Sequence, residues 1–160
     1  KPRFRHEVAG YNFRMTGYQA ALGLAQFRKI EQIIAEKRRV AGTYNRCLAG
    51  RPGIQTPAEA EWARNVYWMY ALTIKPEFGL SRDQLAQRLA DHGIETRTFF
   101  CPMNQQPVLR SRPGFRDVSC PVADRLWETG IYLPSAINLT EAQIESICGS
   151  LLAATGAPRL

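Results

Sequence analysis

The sequence predicts an α/β chain, α+β in its second part, in which a long leading helix precedes a small three-stranded sheet backed by helices. Three observations predict it. Apolar residues recur at three- and four-residue steps from Phe27 to Leu48, the period of one helix face. Aromatic and β-branched runs, VYWMYALTI at 66–74 and IETRTFF at 94–100, read as strands. Capped helical segments then alternate with those runs to the end of the chain.

Thr16 offers an N-cap, and Gly50 with Pro52 offers a stop. Between them Phe27, Ile30, Ile34, Ala41, Tyr44 and Leu48 form the stripe, while Arg28, Lys29, Glu31, Gln32, Lys37, Arg38 and Arg39 cover the rest. One helix of thirty-odd residues is expected, roughly 50 Å long. Its first turns, AALGLA, leave only Gln19 and Gln26 as polar surface. A helix that is apolar all round has to be buried all round, so its front end is expected to pack against protein outside this sequence.

Ser81 with Gln84 forms a capping box for SRDQLAQRLADHG, which ends on Gly93. CPMNQQP is a polar loop, and RSRPGFRD an exposed connection. Cys120–Pro121 opens a helix with proline in its first turn, IYLP at 131–134 is a short strand, and Thr140 with Gln143 caps a final helix to about Ala153.

The 160 residues are 45% hydrophobic and 22% charged, enough for one modest core. No window approaches the roughly 18 apolar residues of a membrane span. Cys47, Cys101, Cys120 and Cys148 form no CxxC pair, and His6 and His92 are the only histidines. Idle thiols in a reducing, cytoplasmic setting are expected, and no metal site. KPRFRHE has no apolar stretch of a signal peptide, and a start at Lys1 points to processing or to a piece of something longer. Residues 1–51 hold eleven Lys/Arg against three Asp/Glu, the remainder ten against eleven. The net +7 therefore belongs to one segment, which could meet nucleic acid, an acidic partner or phosphate groups.

The loops are more specific. GYNFRMTGYQAALGLAQ resembles the segment G-[YH]-N-[YF]-[RK]-M-x-x-x-x-A-A-x-G-x-x-Q of the DegT/StrS-type sugar aminotransferases. LADHGIETRTFFCPMNQQPVL is similar to that family's L-x-x-x-G-I-x-T-R-x-x-[FY]-x-P-[LM]-x-x-Q-P loop, and PVADRLWETGIYLPS followed by LTEAQIESI is similar to its ending. T-R-x-F-F and P-M most resemble the perosamine-synthetase-like members, which aminate a nucleotide-linked 4-keto-6-deoxy sugar.

The resemblance implies the C-terminal domain of a fold-type-I aminotransferase of about 370 residues. Residues 1–50 would carry a cofactor loop and bridging helix from the end of the large domain, and residues 51–160 the small domain. It also implies a homodimer, or a missing N-terminal domain, around the AALGLAQ helix. The cofactor would be pyridoxal 5′-phosphate, the substrate a nucleotide sugar and the amino donor glutamate. Asn12 and Arg14 would reach the cofactor phosphate or the substrate of the neighbouring subunit, an amide donor and a planar charged fork. Arg97, Phe100, Met103, Asn104 and Gln105 would form the rim over the sugar. The family often carries His where Asn104 stands. Without the resemblance, Asn12 reads as a turn residue bonding its own backbone, Arg14 as a surface charge, and Phe99 and Phe100 as a pair on opposite strand faces with one in the core.

Transamination needs a lysine that binds the cofactor and moves a proton. Lys29 and Lys37 fall on the charged helix face, Lys75 ends a strand beside Pro76, and Lys1 opens the chain. None has the family's His-x-x-Lys setting, so no catalytic residue is expected here and the chain alone should be inactive. A basic nucleic-acid-binding module and a catalytically inactive regulatory paralogue are the alternatives. EKRR at 36–39 reads more simply as a solvated face.

Overall fold

The computed structural model describes residues 3–155, so Lys1 lies outside the described residues. Six helices surround a small antiparallel sheet: α1 (Gly17–Phe27), α2 (Ile30–Leu48), β1 (Ile54–Gln55), β2 (Tyr70–Ile74), α3 (Arg82–Asp91), β3 (Arg97–Thr98), α4 (Pro107–Arg110), α5 (Pro121–Thr129), β4 (Gly130–Leu133) and α6 (Glu141–Ala153). The strand order is β1-β2-β4-β3. The α/β class and the helix-backed small sheet are as expected; the sheet has four strands instead of three.

The leading helix is two helices. Its first part closes with the Arg28 N–H on Leu24 O and Gln26 O, and the Lys29 N–H returns to Gln26 O at 3.0 Å. Arg28 keeps helical dihedrals, and Lys29 alone departs, at φ −109° and ψ 11°. A one-residue distortion leaves the apolar stripe in phase on both sides, which is why periodicity runs through it. The capping boxes form at Thr16–Gln19, Ser81–Gln84 and Thr140–Gln143.

The strands are shorter than the apolar runs around them. Residues 66–69 stay out of β2 because Tyr67 sits in the left-handed region at φ 46°, where a bulky residue breaks a ladder. Of residues 94–100 only Arg97 and Thr98 pair, facing Tyr132 and Ile131, since the Ile94 N–H caps α3 on Leu89 O at 2.9 Å. β4 begins at Gly130 and stops before Pro134, which has no N–H to give. β1 pairs Ile54 with Ile74. It is allowed by Gly53, which has φ +72° and where a Cβ would lie 2.1 Å from the Phe78 backbone nitrogen.

The core fills one face of the sheet. Tyr70, Leu72, Ile131 and Leu133 pack with Val40, Ala41, Tyr44 and Leu48 of α2, Leu85 and Leu89 of α3, and Ile144, Ile147 and Leu151 of α6. Tyr44 stacks on Tyr70 with centroids 4.5 Å apart. Their hydroxyls donate to Pro134 O at 2.8 Å and to Asn45 Oδ1 at 2.7 Å, so neither phenol enters the core unpaired. Burial pushes both phenols well above their ordinary range. Ala71 and Tyr132, paired across β2 and β4, lie on the other face.

By contrast, α1 has no buried residue. Tyr18 is 91% exposed, and Leu22, Leu24 and Phe27 are also open to solvent. All four cysteines are free. Among the described residues no cluster of His, Cys, Asp and Glu could hold a metal ion, and no helix is long and apolar enough to cross a membrane.

Candidate functional site

The loop after β3 is built inward. Pro102 precedes a 3-10 turn, Met103–Gln105, closed by the Gln105 N–H on Pro102 O at 3.0 Å and the Gln106 N–H on Met103 O at 3.2 Å. Cys101 and Gln106 point into the protein, 4% and 5% exposed, and burial raises the Cys101 thiol. Gln106 uses both ends of its amide. Its Nε2 donates to Cys101 O at 3.0 Å and to Phe4 O at 2.8 Å, and its Oε1 accepts the His6 N–H at 2.9 Å. The Val108 N–H on His6 O, at 3.1 Å, completes the clasp. The segment around Phe4 and His6 is thereby fixed to the loop after β3.

Three predicted rim residues gather here. Met103 is exposed, while Asn104 is buried, its Nδ2 reaching both oxygens of Asp124 on α5 at 3.1 and 3.2 Å. Gln105 Nε2 donates to Asp124 Oδ1 at 3.0 Å. Phe99 and Phe100 are not split between faces, because β3 ends at Thr98 and alternation ends with it. Both rings meet Tyr132, at 4.6 and 6.4 Å, and neither belongs to the core. Phe99 lies against Gly130, where a Cβ would come within 2.3 Å of the ring. Phe100 takes Phe4 edge-on at 4.5 Å and lies within 7° of parallel to the exposed Trp68, centroids 6.5 Å apart.

Arg97, opposite Tyr132 on β3, is exposed and enters no ion pair among the described residues. It borders a cavity of about 270 Å³ with Met69, Glu95, Tyr132 and Ser135. Asn12 and Arg14 lie apart from this group. Both are exposed in the irregular segment before α1, and no hydrogen bond or ion pair among the described residues joins them to the rim. Asn12 does not bond its own loop, as a turn reading would require. By chemistry alone, an amide N–H and a guanidinium are donors of the kind a phosphate accepts from.

EKRR is not a solvated face. Lys37, half-buried, donates to Trp68 O at 3.0 Å and Ser135 O at 2.5 Å, and desolvation lowers its pKa. Arg38 bonds Glu59 at 2.7 Å and Asn65 O at 2.7 Å. Arg39 bonds Ile137 O and Leu139 O. These cations hold the loops around β2 and β4 onto α2, which leaves little of the run for a polyanion. Asp124, Gln106 and Lys37 escaped the sequence reading. Gln106 is the glutamine of the quoted x-Q-P pattern, a usable signal; Asp124 has none.

The order of these loops has a counterpart among known proteins. The sequence profile described as the DegT/DnrJ/EryC1/StrS aminotransferase family matches residues 1–152. The chain belongs to that family. A GDP-perosamine synthase of Vibrio cholerae is 34% identical over 152 residues, which are 93% of this chain and 40% of that protein. One from Caulobacter vibrioides is also 34% identical, over 151 residues, again 93% of this chain and 40% of that protein. The chain thus spans about two-fifths of the length of these relatives. The structure superposes on the Helicobacter pylori aminotransferase PseC with a TM-score of 0.78 and 23% identity, covering 98% of this chain and 42% of that one. That likeness shows a shared fold. This family member matches the C-terminal domain of that fold.

Proposed function

We propose that the chain is the C-terminal part of a pyridoxal-phosphate-dependent aminotransferase that aminates a nucleotide-linked keto-deoxy sugar. The observation that carries this reading is the family match over residues 1–152 together with relatives named GDP-perosamine synthase and dTDP-4-dehydro-2,3,6-trideoxy-D-glucose 4-aminotransferase. Residues 1–50 bring the cofactor loop and bridging helix from a large domain, and residues 51–160 complete the small domain. A homodimer, glutamate as donor and a cytoplasmic setting belong to the same reading.

When bound, the cofactor supplies the carbonyl that accepts and returns an amino group. This chain supplies positioning. Asn12 donates an amide N–H and Arg14 a charged fork to the phosphate of the partner subunit's cofactor or to its substrate. Arg97, Phe100, Met103, Asn104 and Gln105 form the sugar-facing rim, which the Gln106 clasp ties to the segment entering the cofactor loop. The lysine that handles the proton lies in the remaining three-fifths of the protein, and the chain alone is inactive.

The test uses the full-length protein. Asn12→Ala and Arg14→Ala should each weaken cofactor retention about tenfold or more, the worth of one charge-assisted hydrogen bond, with the melting temperature of this domain unchanged. The readout is loss of the cofactor's visible absorbance on dialysis. Unchanged retention and unchanged kinetics in both variants would overturn the assignment. A nucleic-acid titration at two salt concentrations checks the alternative of a basic binding module; salt-dependent affinity there would favour it. An inactive regulatory paralogue would show no transfer of nitrogen to any nucleotide-linked keto sugar.

A further inference from the structure

Asp124 dictates which atom the rim offers to a ligand. A carboxylate accepts hydrogen bonds and donates none, so Asn104 has to turn its Nδ2 toward Asp124, at 3.1 and 3.2 Å from the two oxygens. Gln105 turns its Nε2 the same way, at 3.0 Å, and its Oε1 accepts from the Arg110 guanidinium at 3.2 Å. Gln105 thus has a protein partner at each end. Asn104 does not: its Oδ1 accepts no hydrogen bond among the described residues. Yet no buried side-chain nitrogen or oxygen among them is left without a partner. That oxygen therefore reaches the surface, although the residue as a whole is only 9% exposed.

We propose that Asp124 is a specificity-determining positioning residue, which fixes the Asn104 amide so that Oδ1 faces the sugar as an acceptor for one of its hydroxyls. This inference rests on the sugar aminotransferase reading above. For a 4-keto-6-deoxyhexose linked through C1, as distinct from the 2,3,6-trideoxy sugar named for one relative, the free hydroxyls are those at C2 and C3, and the group met by Oδ1 is one of those two. An amide neither gains nor loses a proton near neutral pH, so the acceptor persists where an imidazole would become a donor on protonation. A site built to bond a hydroxyl discriminates against the analogue lacking it, because its own polar atom is left unpaired. The Asp124 carboxylate does not touch the sugar; it acts through Asn104.

The experiment uses the full-length, cofactor-loaded protein with three probes: GDP-4-keto-6-deoxymannose and its 2-deoxy and 3-deoxy analogues. Binding is followed by tryptophan fluorescence, and KM and kcat by turnover. The unmodified protein should prefer the full sugar over one of the two deoxy sugars by about tenfold, the worth of one hydrogen bond. Asp124→Asn, which lets the Asn104 amide turn over, should erase that preference. It should do so by raising KM for the hydroxylated sugar about tenfold, leaving that deoxy sugar and the cofactor absorbance unaffected. Asn104→Ala should do the same, and adding Asp124→Asn to it should change the preference between the two sugars no further; this second variant carries the test if Asp124→Asn fails to fold. An identical preference in variant and parent, or no preference for the full sugar in the parent, overturns the inference while leaving the aminotransferase reading in place. If none of the three sugars binds or is aminated, that reading fails for this substrate class and the inference fails with it.

Discussion

In α1, Tyr18, Leu22, Leu24 and Phe27 stand open to solvent; in the second half of α2, Val40, Ala41, Tyr44 and Leu48 are sealed against β2 and α6. Both stretches carry helical apolar patterns, and both are helices. What separates them is the number of neighbours that this chain supplies. α6 and β2 pack on the end of α2, whereas α1 has no buried residue. Periodicity states that a face needs cover; it does not state where the cover comes from.

The sharpest way to break that contrast is truncation on each side of it. In the 160-residue chain by itself, Leu85→Ala in the core should cost about 2–5 kcal/mol in urea unfolding, while Leu22→Ala in α1 should cost less than about 0.5 kcal/mol. Equal costs would mean that α1 is packed within this chain after all. Gln106→Ala comes next. It leaves the Phe4 and Cys101 carbonyls and the His6 N–H without a partner, at about 1–3 kcal/mol. Amide exchange at His6 and Val108 should quicken while the core amides keep their protection, and unchanged exchange would show that the clasp holds nothing.

Lys37→Met should cost about 1 kcal/mol by unpairing two carbonyls, seen as a shift in Trp68 fluorescence with no change in far-ultraviolet circular dichroism. An unaltered emission would mean that Lys37 does not seat that loop. The smallest effect concerns pH. The Arg38 guanidinium beside Glu59, helped by the Asn65 N–H, holds the Glu59 carboxyl below its ordinary value of 4.5. A depressed carboxyl contributes stability that is whole above that value and is lost as pH falls through the folded-state pKa. Glu59→Gln should therefore lower the melting temperature slightly at neutral pH and flatten the decline below pH 4.5. A parallel acid decline in both proteins would remove Glu59 from the account.

Much of this fold was legible because caps and apolar alternation are local. The boxes at Ser81 and Thr140, the proline opening α5 and the stripe from Ala41 to Leu48 each set an element from a few neighbouring residues. The hidden parts depend on distant contacts or on single dihedrals. Lys29 interrupts a helix without disturbing its period, and β1 exists because Ile74 lies opposite Ile54, not because Ile-Gln is a strand. Lys37 looked like a surface charge until the carbonyls of Trp68 and Ser135 came to meet it. In the candidate site, the polar loop at 101–107 was legible as a pattern. The Asp124 carboxylate that orients two of its members, twenty residues later on another helix, was not.

The clasp at Gln106 also sets a timetable. Its partners Phe4 and His6 lie 102 and 100 residues earlier in the chain. At the usual 5–20 residues per second of synthesis, those early residues wait on the order of ten seconds for the glutamine that anchors them. During that interval the stretch ahead of α1 has to remain uncommitted, so its docking belongs to the last steps of maturation and depends on the ribosome having delivered the second half of the domain.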